Sequence, residues 1–301
     1  METYDVKNKI VFFGTDEFAV AVLDELCKLG SLPALIVTTE DKPKGRKLVV
    51  TPPPVKVWAI SSKIPYLQPT KLDESFRSTL YALRPTLFVV ASYGKILPKF
   101  IFDLPTNETL NIHPSLLPKL RGPSPLQTAV LNEDETGVTI IRLDEEMDHG
   151  PIVAQRKILI EPWPIEQNLL RDRLAREGAR LLVESLPDWV DGGIKAIPQD
   201  HAKATYTRKI KKEDGLIDLN GDPEKNYRKI LAYSGWPSAY FFSNKNANSS
   251  PNFSTKNLDG QGKTRVIIKK AHLENGRLVI EKVLPEGSSK EISFQTFNES
   301  F

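Results

Sequence analysis

Short apolar runs alternate with helical patterns over the first two thirds of the chain. Runs rich in β-branched and aromatic residues occur at 10–13, 34–37, 87–91 and 109–112, and apolar residues at helical spacing fill 18–29 between the first two runs. Strands that alternate with helices build βαβ units, in which helices cover both faces of a parallel sheet. The pattern therefore predicts an α/β fold with a mostly parallel sheet.

The pattern continues with two strand-like runs and one long helix. The runs at 138–143 and 152–160 flank an acidic segment, which predicts a pair of strands joined by an acidic turn. Residues 165–190 carry apolar side chains at the spacing of a long amphipathic helix. The basic, polar residues 203–212 predict a linker at the end of this first part of the chain.

The last third of the chain has a different pattern, with short strand-like pieces and little helix. One helix is predicted at 226–233, and 243–262 is rich in Asn, Ser and Gly, which predicts a mobile loop. Strand-like pieces lie around these segments, at 239–242, 264–270, 277–282 and 291–294. Several short strands with little helix predict a small β-barrel domain. We therefore expect two domains, 1–204 and 205–301.

Composition favours a soluble intracellular protein. The chain has 301 residues, of which 40% are hydrophobic and 26% charged, enough for two domains with real cores. The single cysteine, Cys27, excludes an internal disulfide, and its apolar surroundings predict a buried core residue. The first residues lack the pattern of a secretory signal and no apolar run could span a membrane, so we expect a cytoplasmic protein.

Positive charge is clustered although the net charge is only +3. The densest cluster has four cations within six residues, together with Gly and Pro: Lys42, Lys44, Arg46 and Lys47. Such a run is usually an exposed, solvated loop, but it can also be an arm that contacts phosphates. Its place directly after a strand, at the edge of the predicted sheet where a ligand site is expected, favours the phosphate-contacting arm.

Two polar side chains stand together at the end of a predicted strand. Side chains alternate along a strand, so Asn111 and His113 point to one face and Ile112 to the other. Pro114 ends the strand, and open α/β sheets bind ligands at the carboxyl ends of their strands. A histidine alone would be read as a satisfied core residue, but the asparagine and the position favour a functional pair.

The acidic segment 144–149 contains Asp148 and has two interpretations. It is an exposed turn by spacing alone, yet a carboxylate beside His113 would make a sensible pair for acyl transfer. The four histidines lack a second ligand at metal-binding spacing, which disfavours a metal site. Only one glycine follows the first strand, at Gly14, so a dinucleotide site and a dehydrogenase are also disfavoured.

Residues 111–118, continuing through Arg121 and Gly122, resemble the signature of the folate-dependent formyltransferase superfamily, and 135–139 with 148–150 resemble its downstream piece. The resemblance implies a Rossmann-like domain that uses 10-formyltetrahydrofolate and no metal. It implies a catalytic group of Asn111, His113 and Asp148. It also implies a folate-lining stretch of Ser115, Leu116, Leu117 and Pro118.

Two further features are similar to the branch of this superfamily whose acceptor is initiator methionyl-tRNA. One is the basic segment 41–46 with 53–56 after it, and the other is the series of motifs between 205 and 239, which resembles the start of an OB-like tRNA-binding barrel. This likeness implies formylation of the methionyl amino group for translation initiation. It also implies tRNA contacts by Lys42, Lys44, Arg46 and Lys47. No membrane partner is implied, and a monomer is expected.

Two alternatives stay open on the sequence. The same chemistry could act on an amino-sugar nucleotide, which formylation in the absence of tRNA would reveal. The chain could also be a non-enzymatic OB-type nucleic-acid binder, but its aromatic residues are sparse for a base-stacking platform and the trio Asn111, His113 and Asp148 would then have no use.

Overall fold

The computed structural model describes residues 9–45, 48–243 and 263–300, and these form two compact units, each discontinuous in sequence. Unit 1 comprises Met1–Gly122, Glu135–Leu159 and Arg171–Thr207. Unit 2 comprises Pro123–Asp134, Ile160–Leu170 and Arg208–Phe301. A division into functional domains near residue 204 stays a prediction.

Unit 1 is built on a mixed sheet of seven strands within the described residues, in the order β5-β2-β1-β6-β7-β8-β9. The first five strands in this order run parallel, and β8 and β9 are antiparallel to their neighbours. The predicted mostly parallel sheet is confirmed. The strands are β1 (Ile10–Gly14), β2 (Leu35–Val37), β5 (Tyr66–Leu67), β6 (Leu87–Ala91), β7 (Thr109–His113), β8 (Thr136–Arg142) and β9 (Ile152–Ile158).

A two-stranded antiparallel ribbon follows β2, where the sequence predicted a loop. Its strands are β3 (Lys42–Lys44) and β4 (Val49–Thr51), with Pro43 opposite Val50. The loop prediction was wrong because Lys-Pro-Lys has none of the apolar alternation from which strands are recognised. The α-helices of the described residues are α1 (Glu17–Lys28), α2 (Pro54–Ser61), α3 (Glu74–Ala82), α4 (Lys99–Phe102), α5 (Pro125–Asn132), α6 (Gln167–Val190), α7 (Pro223–Ala232) and α8 (Phe294–Ser300).

The central strands of unit 1 are buried on both faces, as expected where helices cover a parallel sheet. Phe13 of β1 and Phe88 of β6 are fully buried, with ring centroids 5.0 Å apart in one core cluster. On α6, Gly178 leaves room for Ile112 of β7, since a Cβ there would lie 2.4 Å from Ile112 Cγ2. The close approach of α6 fixes which face of β7 carries Ile112.

Unit 2 contains a four-stranded antiparallel sheet in the order β10-β11-β12-β13. Its strands are β10 (Tyr240–Ser243), β11 (Thr264–Glu274), β12 (Arg277–Pro285) and β13 (Ile292–Ser293). Phe241, Val266 and Val283 form its core with Phe297 of α8. The predicted β-rich C-terminal region is present as this sheet. The loop predicted at 243–262 lies, beyond Ser243, outside the described residues.

Two smaller expectations need adjustment. Cys27 is exposed rather than buried, because the buried stripe of α1 ends at Leu26. Residues 205–207, predicted as part of a linker, pair with Arg121, which donates its N–H to Thr205 O and accepts from Thr207 N. No helix in the described part of the chain has the length and apolar character needed to cross a membrane.

Candidate functional site

The two polar residues predicted on one face of β7 do share that face. Asn111 and His113 are buried, at 8% and 4% exposure, while Ile112 packs against α6 on the other side of the sheet. In the register with β8, Asn111 lies opposite Ile141 and His113 opposite Thr139. The alternation of side chains along β7 therefore brings an amide and an imidazole together at the carboxyl end of the strand.

The loop between β8 and β9 brings Asp148 to this pair. Asp148 Oδ1 lies 3.4 Å from His113 Nδ1 and 3.5 Å from Asn111 Nδ2. The Asp148 backbone has a φ of 54°, in the left-handed region that Asp tolerates better than most residues. Two residues later the loop passes so close to β8 that a Cβ at Gly150 would lie 1.8 Å from Arg142 O. Only glycine fits there.

Both ring nitrogens of His113 face acceptors. Nδ1 faces the Asp148 carboxylate and Nε2 lies 3.0 Å from Leu120 O. Only the doubly protonated ring can donate to both groups. Burial disfavours the charged ring, but the charge and hydrogen bond of Asp148 and the Leu120 carbonyl together outweigh it, so the pKa of His113 is raised. The site therefore favours an imidazolium.

The partner carboxylate is held in its ionised form. Burial alone would raise its pKa, but His113, the Gly122 N–H at 2.7 Å from Oδ2 and the charge of Arg121 together lower the pKa of Asp148. His113 and Asp148 thus form a buried charged pair beside the Asn111 amide. A hydrogen-bond donor, a cationic ring and a carboxylate at one point can stabilise a developing oxyanion and accept a proton.

The segment predicted to line a folate site follows β7 and is fixed by hydrogen bonds. Thr139 Oγ1 donates to Ser115 O at 2.6 Å and accepts from Leu117 N at 3.1 Å. Gln155 Nε2 donates to Leu117 O at 2.8 Å. Ser115 and Leu117 are buried, whereas Leu116 and Pro118 are half-buried. The segment is therefore a rigid, partly open apolar surface that begins two residues after His113.

The predicted basic cluster lies on the ribbon. Lys42 and Lys44 are exposed on β3, and Arg46 and Lys47 lie outside the described residues. The base of the ribbon is anchored, because Asp41 accepts from Lys56 Nζ at 2.7 Å and from Gln68 Nε2 at 2.8 Å. The ribbon does not contribute to the Asn111–His113–Asp148 cluster; it presents cations to solvent instead.

Sequence reasoning missed three polar side chains that hold the cluster's loops: Thr139, Gln155 and Gln199. Thr139 could have been noticed, because a hydroxyl on a buried strand almost always has a hydrogen-bond partner. No local signal marks Gln199, which donates to Asp148 O at 2.9 Å and Gly150 O at 2.8 Å across about fifty positions. Within residues 9–45, 48–243 and 263–300, no group of His, Cys, Asp or Glu could hold a metal ion.

The chain is similar to known formyltransferases over most of its length. The family described as formyl transferase matches residues 8–186. A methionyl-tRNA formyltransferase of Chloroflexus aggregans is 47% identical over 236 residues, covering 78% of this chain and 76% of the relative.

Solved structures share the fold. A methionyl-tRNA formyltransferase from Clostridium thermocellum superposes with a TM-score of 0.58 at 18% identity, covering 93% of this chain and 100% of that one. HypX from Aquifex aeolicus in complex with tetrahydrofolic acid superposes with a TM-score of 0.61 at 16% identity, covering 95% of this chain and 46% of that one. By its sequence match and its fold, the chain belongs to the formyl transferase family, in the group of the methionyl-tRNA formyltransferases.

Proposed function

We propose that this protein transfers a formyl group from 10-formyltetrahydrofolate to the amino group of methionyl-initiator tRNA. One observation carries the proposal: Asn111, His113 and Asp148 converge within 3.5 Å at the end of β7, in a chain of this family. Formyl transfer to an amine needs an oxyanion stabiliser and a proton acceptor, and these three side chains can supply both.

Asn111 and His113 act on the charge that develops. When the methionyl amine adds to the formyl carbon, negative charge builds on the formyl oxygen. The Asn111 amide donates a hydrogen bond to it, and the nearby His113 ring, whose pKa is raised, stabilises it through its positive charge. One such positioned donor lowers a barrier by about 3–4 kcal/mol. Because both side chains are buried and fixed by β7, little reorganisation accompanies the step.

Asp148 completes the group in two ways. Its carboxylate keeps His113 cationic and oriented, and it helps to remove the proton that the attacking nitrogen must lose. The hydrogen bond from Gly122 N–H orients the second carboxylate oxygen, Oδ2. As the bond from the methionyl nitrogen to the formyl carbon forms, Asp148 takes up the proton that this nitrogen loses. The bond from the formyl carbon to the folate nitrogen then breaks, and the leaving nitrogen gains one proton, so that tetrahydrofolate and the formylated amine result.

The folate is proposed to bind along Ser115, Leu116, Leu117 and Pro118. The half-buried Leu116 and Pro118 offer apolar surface to a pterin ring, and the hydrogen bonds of Thr139 and Gln155 keep that surface rigid. A preformed apolar wall with a few polar groups is the usual form of a small-molecule site.

The tRNA is proposed to meet the basic ribbon. Lys42 and Lys44, with Arg46 and Lys47 in the same segment, would contact phosphates of the acceptor end. The antiparallel sheet of unit 2 supports an OB-like barrel that would extend the contact with the tRNA. A division of roles between 1–204 and 205–301, a monomeric state and a cytoplasmic location belong to the same proposal.

The test is formyl transfer from 10-formyltetrahydrofolate to charged initiator methionyl-tRNA, with elongator methionyl-tRNA and an amino-sugar nucleotide as parallel acceptors. Transfer selective for the initiator tRNA is expected. Transfer to the amino sugar alone would keep the chemistry and replace the acceptor. No transfer to any acceptor by the folded protein would refute the proposal.

A further inference from the structure

Arg121 is among the largest fully buried side chains, with 1% of its surface exposed. Its Nε and Nη2 both donate to Gln199 Oε1, at 3.1 and 2.7 Å, and Nη2 also lies 2.9 Å from His201 Nδ1. The backbone of Arg121 pairs with Thr205 and Thr207. Both the main chain and the guanidinium are therefore fixed in place.

Gln199 transmits this fixed position to Asp148. Because an arginine can only donate, Gln199 Oε1 must face Arg121, and Nε2 must face the other side. There Nε2 donates to Asp148 O at 2.9 Å and to Gly150 O at 2.8 Å, so the Gln199 amide is fully used. Gly122, the neighbour of Arg121, donates to the Asp148 carboxylate. Arg121 thus fixes the main chain of Asp148 through Gln199, and its neighbour Gly122 fixes the Asp148 side chain.

The charge of Arg121 also reaches the pair. Among the described residues, its hydrogen-bond partners are neutral groups: the Gln199 amide, the acceptor nitrogen of His201 and the Tyr206 hydroxyl at 3.4 Å. A buried charge without a direct counter-ion is costly, and its field extends to nearby titrating groups. Its positive charge acts to lower the pKa of both His113 and Asp148.

Among the described residues, the titratable groups that hydrogen-bond with Arg121 are His201 and Tyr206. The His201 ring in turn stacks on His149 with centroids 4.2 Å apart. His149 in turn pairs with Asp144 at 2.6 Å. Arg121 is therefore the neighbouring charge that acts on both His113 and Asp148. The His149–Asp144 pair lies in the same loop as Asp148.

We propose that Arg121 and Gln199 are positioning residues for formyl transfer: the guanidinium orients the Gln199 amide, which fixes the Asp148 main chain so that the carboxylate stays 3.4 Å from His113. The proposal rests on the function proposed above. Arg121 has two separable parts, a clamp that acts through Gln199 and a charge that acts through space.

Three variants separate these parts. Gln199→Met keeps the charge and removes the clamp, Arg121→Lys keeps the charge and loses the forked donor, and Arg121→Met removes both. Arg77→Met is the control, because Arg77 is a surface arginine that donates to Phe100 O. In the two charge-retaining variants, we expect kcat to fall by about 10²-fold with the folate KM little changed, since a loop displaced by about 1 Å has that cost.

The second readout is the pH titration of the His113 ring, followed by NMR of ¹⁵N-histidine in the full-length protein. Arg121→Met loses a positive charge as well as the clamp, so the apparent pKa of His113 should be higher in Arg121→Met than in Gln199→Met, which loses the clamp alone. Gln199→Met should lower the apparent pKa of His113, because the displaced Asp148 carboxylate favours the imidazolium less, and the Arg77→Met control should leave the His113 titration in place. This readout needs no substrate.

The outcomes separate this proposal from the function itself. A wild-type protein that fails to formylate methionyl-tRNA counts against the proposed function. An active wild type combined with a folded Gln199→Met variant of normal kcat overturns the clamp, and a His113 pKa in Arg121→Met equal to that in Gln199→Met overturns the charge effect. If Arg121→Met fails to fold, normal kcat in both charge-retaining variants still overturns the proposal.

Discussion

Asp148→Asn is the sharpest perturbation of the proposed site, because it removes the charge and keeps the shape. The carboxamide oxygen can still accept from Gly122 N–H, which lies 2.7 Å from Oδ2, so the loop should hold. The new NH₂ group then faces His113 Nδ1, which must become an acceptor, while Nε2–H still donates to Leu120 O. The ring is left neutral in a buried place.

The size of the effect follows from the distance. Two unit charges 3.4 Å apart at an effective dielectric constant near 20 interact by about 5 kcal/mol. The comparable change of the buried aspartate in a Ser–His–Asp triad lowers kcat by about 10⁴-fold, which is about 5 kcal/mol of barrier. Both routes predict that Asp148→Asn lowers kcat by about 10³- to 10⁴-fold, with folate binding retained.

The assay is single-turnover formyl transfer to charged initiator tRNA, with folate binding measured separately by fluorescence quenching. The pKa of His113 should fall in the variant, because the carboxylate that raises it is gone. Asp103→Asn, which removes an exposed carboxylate paired with Lys99, is the control. A folded Asp148→Asn protein with kcat within tenfold of wild type would remove Asp148 from the mechanism.

Three further predictions follow from other parts of the chain. Asn111→Ala should lower kcat by about 10²- to 10³-fold with little change in folate affinity; equal losses in both would indicate a folding role instead. Neutralising Lys42 and Lys44 together should raise the tRNA KM and reduce the slope of log affinity against log salt by about 2, one per lost phosphate contact; an unchanged slope would contradict the arm. Glu25, buried against Arg176 and Arg180, has a pKa lowered from 4.5, because the two guanidinium groups outweigh the effect of burial. The contribution of Glu25 to the free energy of unfolding is therefore complete above pH 4.5 and is lost as the pH falls below that value. Glu25→Gln should lower the free energy of unfolding at pH 7 by about 1 kcal/mol, discounted for the exposed arginines, and urea melts at pH 7 and pH 3 should show the difference shrink at low pH; a constant difference would contradict the ion-pair account.

The sequence predicted the parts of the fold that have a strong local signal. β1 and β6 are apolar runs because both of their faces are covered, and the alternation along β7 was enough to put Asn111 and His113 on one face. The ribbon at Lys42–Lys44 has no such pattern and was read as a loop. Hydrophobic patterns also fail to predict the loops, because a loop's path depends on its backbone conformation more than on its residue types.

Residues of the site could be predicted only where a local sequence pattern or the family resemblance included them. Spacing left Asp148 open between an exposed turn and a partner of His113, and only the resemblance joined the two. The resemblance included Arg121 but gave it no partner, because Gln199 lies 78 positions further along the chain, outside every motif. Contacts between distant, irregular segments depend on the whole fold, so neither periodicity nor a short motif encodes them.

The interrupted sequence of unit 2 has a consequence for folding during synthesis. α5 buries Leu126, Ala129 and Val130, and it packs against α7, from which Arg228 donates to Val130 O at 3.2 Å and Glu133 O at 3.1 Å. The ribosome makes α5 long before α7, so a nascent chain carries an apolar helix face without its cover until residues beyond 208 emerge. A stop codon or protease cut near residue 204 would make that exposure permanent, so N-terminal fragments of this length should recruit chaperones or aggregate.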